Sequence, residues 1–319
     1  MNYYDRIDNL AQVIIDGESL KHKHSIIIGK NAIGKSDVVL NIIKSDDKKV
    51  YYIDSANRKY DTKSIMNESI KEITVDEIVK NRIRKEIFNQ QDSFGNASRK
   101  IEMISYRYKD KLKELLGEFL GVDFEIQAEK SEFGDEYVVF VDGKRVDSES
   151  YRLSDGYQAI IRILIEILFY SEQFEEDEMF ILIDEIDTYL SVNYKYDILC
   201  YLENKFPQLR FVVTTHSKEV LLGTANSNII ALGQMNYEIY DSNDVDSDFM
   251  IENIFKHADL LNDEIQTNTI ESKLRVLLNH RVYGIWSEID NSEFDEIEYD
   301  MLSPMNQYIY KTIQRWSDE

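Results

Sequence analysis

Several residue types that define whole classes of protein are scarce in this chain of 319 residues. The single cysteine, Cys200, excludes a disulfide framework and a cysteine-based zinc site. With two prolines and no Gly/Ser-rich stretch, the chain shows no recognisable linker between domains. It also lacks an apolar run of about 18 residues, which a membrane span would require. Since the basic start and apolar stretch of a signal peptide are missing too, we expect a cytoplasmic protein.

Positive charge is scarce as well. The chain has 37 lysines and arginines against 60 aspartates and glutamates, a formal net charge of -23. Phosphate backbones would be repelled by most of such a surface, which excludes a nucleic-acid coat but leaves a local basic site open. Hydrophobic residues make up 43% and aromatic residues 12%, so the chain is too apolar to be a disordered acidic protein.

Short apolar runs alternate with segments of helical spacing, which predicts an α/β fold with a mixed, mostly parallel sheet flanked by helices. The central strands are expected at Ser25–Ile28, Met179–Ile183 and Arg210–Thr214. We expect one domain over residues 1–240 and an acidic helical domain over 241–319. Within the first domain, an insertion over about 55–150 is predicted to hold two helices, over 65–88 and 99–120, followed by a β-hairpin.

A phosphate-binding motif follows the first strand without a gap. Its residues are Gly29-Lys30-Asn31-Ala32-Ile33-Gly34-Lys35-Ser36, in the pattern G-x-x-x-x-G-K-S. The glycines let backbone N–H groups surround phosphate oxygens, and the following helix adds partial positive charge at its N-terminus. In this motif Lys35 reaches the outer phosphates and the Ser36 hydroxyl binds Mg²⁺. The alternative is a chance strand-turn-helix that binds no nucleotide.

A second motif ends the apolar strand Met179–Ile183 in two carboxylates, Asp184 and Glu185. A buried strand of this kind delivers Asp184 to the edge of the sheet, where it could bind Mg²⁺. Glu185 could then orient and deprotonate an attacking water molecule. The alternative is a plain strand end followed by a solvated acidic turn.

Between these motifs, Leu153-Ser154-Asp155-Gly156-Tyr157-Gln158 opens an apolar helix. This L-S-x-G-x-Q pattern resembles the signature motif of ATP-binding-cassette (ABC) ATPases. The resemblance implies that Ser154, Gly156 and Gln158 bind the ATP of a partner subunit, so that two ATPs are enclosed in a head-to-tail dimer. The alternative is a serine N-cap on an ordinary helix.

Two further segments resemble the same family. Phe211-Val212-Val213-Thr214-Thr215-His216-Ser217 is similar to its switch-histidine strand, which implies a contact between His216 and the γ-phosphate. Asp187 matches the segment that communicates across the dimer. The lid glutamine is expected at Gln90 or Gln91, and the aromatic residue that stacks on adenine at Tyr3 or Tyr4, although a polar loop and core packing explain these residues equally well.

Over about residues 20–235 the chain resembles the non-transporter branch of the family. This branch includes the heads of SMC, Rad50, RecF and overcoming-lysogenization-defect proteins and the ATPases of phage-defence systems such as Septu, retron and PARIS. Only 116 residues separate the phosphate loop from the signature, so no long coiled coil is present. Two departures stand out: the family usually has glycine at Ala32, and it often has a His-Pro pair in the stretch that is Ser191-Val192-Asn193 in this chain.

Charge is distributed unevenly along the chain. Residues 241–319 hold 18 acidic and 6 basic side chains, whereas the stretch Lys80–Lys113 holds 10 basic and 4 acidic ones. The basic stretch could contact nucleic acid or an acidic partner, or it could simply be a solvated face that balances an acidic protein. The acidic tail disfavours contact with DNA and favours a protein partner.

The resemblance implies an ATPase that uses ATP and Mg²⁺, forms a homodimer or a higher even oligomer, and controls a separate effector such as a nuclease or toxin in antiviral defence. An alternative is a repair or replication ATPase that clamps DNA through the basic stretch. A transporter cassette is the weakest alternative, because the acidic helical tail does not suit it. We expect no contact with membrane.

Overall fold

The computed structural model describes residues 3–45, 50–65, 74–83, 100–131, 134–146, 152–173, 179–234, 236–245, 248–258, 274, 277–278, 281, 286–295, 297, 299 and 304–315. The chain divides into two compact units, Met1–Ala258 and Asp259–Glu319. The division differs from the expected boundary after residue 240, because the helix Asp248–His257 packs against the two strands that precede it.

Strands and helices alternate along the first unit. The strands are β1 (His24–Ile28), β2 (Val50–Ile53), β3 (Phe124–Ser131), β4 (Gly134–Val141), β5 (Lys144–Arg145), β6 (Met179–Ile183), β7 (Leu209–Thr215), β8 (Ser227–Leu232) and β9 (Tyr237–Asp241). The helices are α1 (Tyr3–Asp16), α2 (Lys35–Lys44), α3 (Val75–Arg82), α4 (Lys100–Met103), α5 (Lys109–Leu120), α6 (Asp155–Gln173), α7 (Val192–Lys205), α8 (Lys218–Leu222) and α9 (Asp248–His257).

The central sheet has the strand order β2-β6-β7-β1-β8-β9 among the described residues. Strand β9 pairs antiparallel with β8 at one edge, and every other neighbouring pair is parallel. The predicted mixed, mostly parallel sheet is therefore confirmed. Strand β7 lies between β1 and β6, so the segments that follow these three strands meet at one edge of the sheet. We call this the carboxyl edge.

Strands β1, β2, β6, β7 and β8 are almost wholly buried on both faces, which indicates that helices cover both faces of the sheet. Helices α1 and α2 pack together over a cluster of apolar side chains that includes Ile7, Leu10 and Val38. Helix α6 is buried along its whole middle, from Ala159 to Tyr170. Each fully buried Leu or Ile side chain contributes about 1.5–3 kcal/mol, so α6 is a major source of stability.

The buried middle of α6 also carries charge. Arg82 donates to both carboxylate oxygens of Glu166, at 2.6 and 3.0 Å, and Arg162 donates to Glu166 at 2.7 Å. Arg162 also reaches Glu102 at 2.6 Å, and the Tyr51 hydroxyl donates to Glu166 at 3.0 Å. Burial alone would raise the pKa of Glu166, but the two arginines lower it to about 2. This network joins α3, α4 and β2 to the signature helix.

The insertion holds short helices and a three-stranded sheet, β3-β4-β5. The single helix predicted over 99–120 is wrong, since α4 ends at Met103 and a 3₁₀ turn follows over Ser105–Tyr108. The Ser105 hydroxyl donates to the carbonyl of Glu102, so a side chain competes there with the helical backbone. Helix α5 ends as predicted at Gly121, whose φ of 69° is left-handed.

The second unit has a small core of its own. It contains helices α10 (Glu288–Asp295) and α11 (Pro304–Arg315). Its core residues are Leu274, Leu277, Ile297 and Ile313. This acidic region is thus helical, as predicted, and its helices pack around apolar side chains. Leu260, Leu261, Val276 and Trp316, which the sequence also offered as apolar contacts, lie outside the described residues.

Among the described residues, none of the helices is both long and apolar enough to cross a membrane.

Candidate functional site: the carboxyl edge of the central sheet

Both glycines of the phosphate loop occupy places that no side chain could share. A Cβ atom on Gly29 would lie 2.8 Å from the Leu232 carbonyl oxygen, and one on Gly34 would lie 2.6 Å from Ile7 Cδ1. Gly34 also has a φ of 114°, in the region that favours glycine. Since Gly34 is the N-cap of α2 and has no side chain to bond there, the first N–H groups of the helix can serve an anion.

The residues between the glycines differ in exposure. Asn31 and Ala32 are exposed, Lys30 is half-buried and Ile33 is buried in the core. Ala32 has a φ of 60°, a left-handed conformation that costs an L-residue roughly 1–2 kcal/mol. The loop therefore keeps the shape for which the family usually has glycine, at some cost in backbone strain.

Lys35 is buried and turned back into its own loop. Its ammonium donates to the carbonyls of Gly29 at 2.6 Å and Lys30 at 3.1 Å. Burial lowers the pKa of Lys35 to about 8, although Asp184 and Glu185 oppose the shift. The loop thus holds one cation near two carboxylates, and the half-buried Ser36 follows it at the start of α2.

Asp184 is buried where β6 ends. Its Oδ1 accepts a hydrogen bond from the Thr214 hydroxyl at 2.6 Å, and the Tyr52 hydroxyl lies 3.5 Å from its Oδ2. Burial raises the pKa of Asp184, while Thr214, Arg58 and Lys35 oppose the shift. The Thr214 hydroxyl on one oxygen and the Tyr52 hydroxyl near the other fix this buried carboxylate at the end of the strand, where it can hold a cation.

Glu185 stands on a strained backbone, with a φ of 48°. Its N–H donates to Thr214 Oγ1 at 2.8 Å, and its Oε2 accepts from the Thr188 hydroxyl at 3.2 Å. The Glu185 carboxylate is 40% exposed, so solvent can reach it. Its other oxygen lies 3.9 Å from His216 Nε2, which brings together the predicted base and the predicted switch histidine.

Two threonines at the end of β7 organise this turn, and the sequence reasoning missed them. Thr214 binds both Asp184 and Glu185, and the Thr215 hydroxyl donates to Asp187 Oδ1 at 2.6 Å. The available signal was a pair of polar residues ending an otherwise apolar strand. Because β7 lies between β1 and β6, these hydroxyls are placed to fix the acidic turn next to the phosphate loop.

The signature residues contact a different part of the same turn. Ser154 is exposed, and its Oγ accepts the Tyr157 N–H at 3.3 Å as an N-cap. A Cβ on Gly156 would lie 2.9 Å from the Tyr189 carbonyl oxygen, so only glycine fits there. Gln158 points inward instead, since its amide donates to the Leu153 carbonyl at 2.9 Å and accepts the Tyr60 N–H at 3.3 Å. In this arrangement Gln158 has a structural role.

Helix α1 fixes the loop from the other side, through a residue that the sequence reasoning also missed. The buried Arg6 donates to the Ile33 carbonyl at 3.0 Å and also to the carbonyl of Gly233. Its guanidinium lies 5.2 Å from the centre of the Tyr3 ring. The Tyr3 hydroxyl binds Asp37, whereas Tyr4 is 77% exposed. Of the two predicted aromatics, Tyr3 therefore packs against the loop and Tyr4 is open to a ligand.

The oxygen donors fit Mg²⁺ bound together with a nucleotide. Among the described residues, no group of three or more His, Cys, Asp or Glu side chains could hold a metal by itself. Mg²⁺ is commonly held by one or two protein oxygens plus phosphates and water, and Asp184 with Ser36 supplies this donor set. The phosphates would be bound by the main chain near Gly29 and Gly34, where there is no room for a side chain, and by the Lys35 ammonium.

The basic stretch is largely paired where it is described. Arg82 is buried in the network around Glu166 and therefore cannot contact DNA. Arg107 pairs with Glu172 at 2.9 Å, and Lys111 pairs with Glu114 at 2.8 Å. Residues 84–99, including the candidate lid residues Gln90 and Gln91, lie outside the described part of the chain.

Comparison with known proteins finds one partial relative. The chain is 35% identical to Septu protein PtuA of Bacillus mycoides (strain KBAB4) over 83 residues, which is 25% of this chain and 12% of that protein. The chain thus spans a small part of its curated relative, and no family model matches. Over these residues the resemblance to a Septu protein is confirmed.

Solved structures of low identity match parts of the chain. The SMC head domain from Thermotoga maritima is 18% identical with a TM-score of 0.32, covering 45% of this chain and 51% of that one. A putative metal-chelate type ABC transporter is 13% identical with a TM-score of 0.37, covering 74% and 79%. Identities and TM-scores this low say nothing about activity. What stands is an α/β domain with a phosphate-loop motif that is similar to a Septu protein over a quarter of its length.

Proposed function

We propose that this protein binds and hydrolyses ATP with Mg²⁺ at the carboxyl edge. One observation supports this most strongly: strands β1, β6 and β7 place Lys35, the Asp184-Glu185 turn and His216 at a single edge. Separate motifs, up to 181 positions apart along the chain, thus meet in one place. A chance phosphate-loop motif would have no reason to share its site with the other two.

The chain's own groups divide the chemistry among them. Backbone N–H groups around Gly34 and at the start of α2 bind phosphates, and Lys35 moves from the loop carbonyls to the outer phosphates. Ser36 and Asp184 would hold Mg²⁺, which when bound supplies positive charge against the phosphates. Glu185 orients water and takes its proton as the water oxygen attacks the γ-phosphorus, and ADP departs. His216 supports the γ-phosphate and keeps its place near Glu185.

Dimerisation would complete the site. Ser154 is exposed at the start of α6, and the neighbouring Tyr189 and Val192 are 53% and 57% exposed. Large exposed apolar side chains beside a helix N-terminus suit a contact with the phosphate loop and ATP of a second copy. We therefore assign Ser154 and Gly156 to the partner's ATP.

The partial similarity to Septu protein PtuA supports a role in bacterial defence against phage. In this role, ATP-driven dimerisation controls a separate effector, and the acidic residues 241–319 favour a protein or basic partner over DNA. The described basic stretch supports the DNA-clamp alternative less than its sequence does, because Arg82 is buried and the exposed Arg107 and Lys111 each lie beside a carboxylate that reduces their net positive charge.

A Glu185→Gln variant tests the proposal. We expect ATP hydrolysis to fall about 100-fold or more, while ATP binding persists, because the base is lost and the phosphate contacts remain. Mass photometry should then show a dimer that accumulates with ATP and disperses when ATP is removed. Glu129→Gln, on the exposed hairpin, serves as the control and should hydrolyse ATP at the wild-type rate. Wild-type hydrolysis by Glu185→Gln would reject the assignment of the base.

A further inference from the structure

Arg58 is a buried residue that no motif predicts. It lies after the end of β2, the strand that pairs with β6, and it is 1% exposed. Its Nη2 donates to the main-chain carbonyl of Asp184 at 2.8 Å. Since Asp184 is the carboxylate assigned to Mg²⁺, Arg58 contacts the main chain of a residue that would bind the metal ion.

The rest of this guanidinium is poorly satisfied. Its Nε and Nη1 are buried and make no hydrogen bond with the described residues. Burial lowers the pKa of Arg58, and the nearby Asp54, Glu166 and Asp184 oppose the shift. A buried guanidinium with unpaired nitrogens opposes folding, so packing alone would favour an apolar side chain at this position.

The backbone around Arg58 is fixed on both sides. The Asp54 carboxylate accepts the N–H of Asn57 at 2.7 Å and lies 3.3 Å from Arg82 Nε. Two residues after Arg58, the Tyr60 N–H donates to Gln158 in the signature helix at 3.3 Å. These contacts fix the chain on either side of Arg58. A side chain that positions another residue needs such a fixed backbone.

The structural alternative is that Arg58 merely fills space and balances the charge of Asp54 and Glu166. Those two carboxylates already have partners of their own, since Asp54 is held by Asn57 and Glu166 by Arg82 and Arg162. The one hydrogen bond that Arg58 makes with the described residues goes to Asp184.

We propose that Arg58 is a positioning residue that sets the backbone of Asp184 so that its carboxylate binds the metal ion. The proposal rests on the proposed function, in which Asp184 is a metal ligand. Loss of a group that orients a metal ligand typically weakens metal binding about 10- to 100-fold. Nucleotide binding without metal depends on the phosphate loop, so it should remain unchanged.

The test compares Arg58→Met with Arg58→Lys in the full chain. Mn²⁺ binding is measured by electron paramagnetic resonance with a non-hydrolysable ATP analogue, and binding of the same analogue is measured separately in EDTA. We expect Arg58→Met to raise the Mn²⁺ dissociation constant about tenfold or more and to change binding in EDTA less than about twofold. Arg58→Lys, which keeps the charge and one donor, should recover part of the loss.

Arg6→Met is the matched control, because Arg6 is also buried but holds the phosphate loop. It should weaken binding of the analogue in EDTA, which Arg58→Met should not do. A folded Arg58→Met protein with wild-type Mn²⁺ affinity would overturn the proposal. If Arg58→Met does not fold, Arg58→Lys decides, and unchanged Mn²⁺ affinity in that variant overturns the proposal as well.

Asp184→Asn separates this inference from the proposed function. If Asp184→Asn weakens Mn²⁺ binding and the Arg58 variants do not, only the role of Arg58 is wrong. If Asp184→Asn also binds Mn²⁺ normally, the metal site itself has been misassigned.

Discussion

The two ends of the central strands are both polar and buried, yet they are built differently. At the carboxyl edge, Ala32, Glu185 and Tyr189 all have positive φ angles, and the Lys35 ammonium lies on the carbonyls of its own loop. At the opposite end, which we call the amino edge, Asn228 is bonded on all sides by backbone groups of residues 21–24. The one positive φ of a non-glycine residue there belongs, among the described residues, to Asn226, a residue type that tolerates it. Strained backbone and a lysine that can reorient distinguish the carboxyl edge, whereas satisfied hydrogen bonds distinguish the amino edge.

Lys35 gives the most direct test of this contrast between the two edges. In Lys35→Met we expect ATP hydrolysis to fall about 100- to 1000-fold, because the cation that binds the outer phosphates is lost. The free energy of unfolding should stay the same or rise by up to ~1 kcal/mol, since the buried ammonium is removed. Steady-state hydrolysis and urea denaturation measure the two quantities. A variant that loses stability along with activity would show that Lys35 is a structural residue.

Asn228 should behave in the opposite way. Its side chain is 1% exposed, accepts the N–H groups of Lys21 and His22, and donates to the carbonyls of His22 and His24. Asn228→Ala leaves these groups unpaired and should lower the free energy of unfolding by about 3 kcal/mol.

Hydrolysis per folded Asn228→Ala molecule should match the wild type at a temperature well below the unfolding transition. The exposed Asn204→Ala on α7 is the control, with a change of about 0.5 kcal/mol or less. A folded Asn228→Ala protein with a large loss of activity would mean that the amino edge takes part in function.

The amino edge also contains a titrating carboxylate. Burial raises the pKa of Glu203 to about 7, although a hydrogen bond from Ser227 at 3.1 Å opposes the shift. The neighbouring His24, 3.9 Å away, is neutral, because burial lowers its pKa to about 4 and its Nδ1 accepts the Phe211 N–H. A carboxyl group whose folded pKa is raised stabilises the protein fully below its unfolded pKa, and this stabilisation is lost as the pH rises through about 7.

Glu203→Gln removes this pH dependence. The variant should be more stable than the wild type by ~2 kcal/mol at pH 8, and the difference should nearly vanish at pH 5. Urea denaturation at both pH values measures it, with Glu129→Gln as the exposed control. A stability difference that is equal at pH 5 and pH 8 would show that Glu203 does not titrate in this range.

The sequence predicted the residues of the carboxyl edge far better than the buried residues that hold them in place. The meeting of the motifs could be predicted, because Gly29, Asp184 and His216 each follow a predicted strand, and parallel strands bring their ends to the same edge. The order of the strands could not be predicted. Arg6 and Arg58 could not be predicted, since each acts on a main-chain carbonyl far away in sequence, and carbonyls carry no sequence signal. The inward contact of Gln158 could not be predicted for a related reason: its partner is the N–H of Tyr60, which any residue except proline could supply.

The smallest expected effect concerns Ala32, where the carboxyl edge departs from the family pattern. At a φ of 60°, alanine costs roughly 1–2 kcal/mol, and glycine removes this strain but loses more entropy on folding, by roughly 0.5–1 kcal/mol. Ala32→Gly should therefore raise the free energy of unfolding by about 0.5 kcal/mol, as measured by urea denaturation. Gly121→Ala, a left-handed position with open space around it, is the control and should lose stability. If Ala32→Gly is less stable than the wild type, Ala32 is not strained, and the contrast between the two edges must then rest on Glu185 and Tyr189.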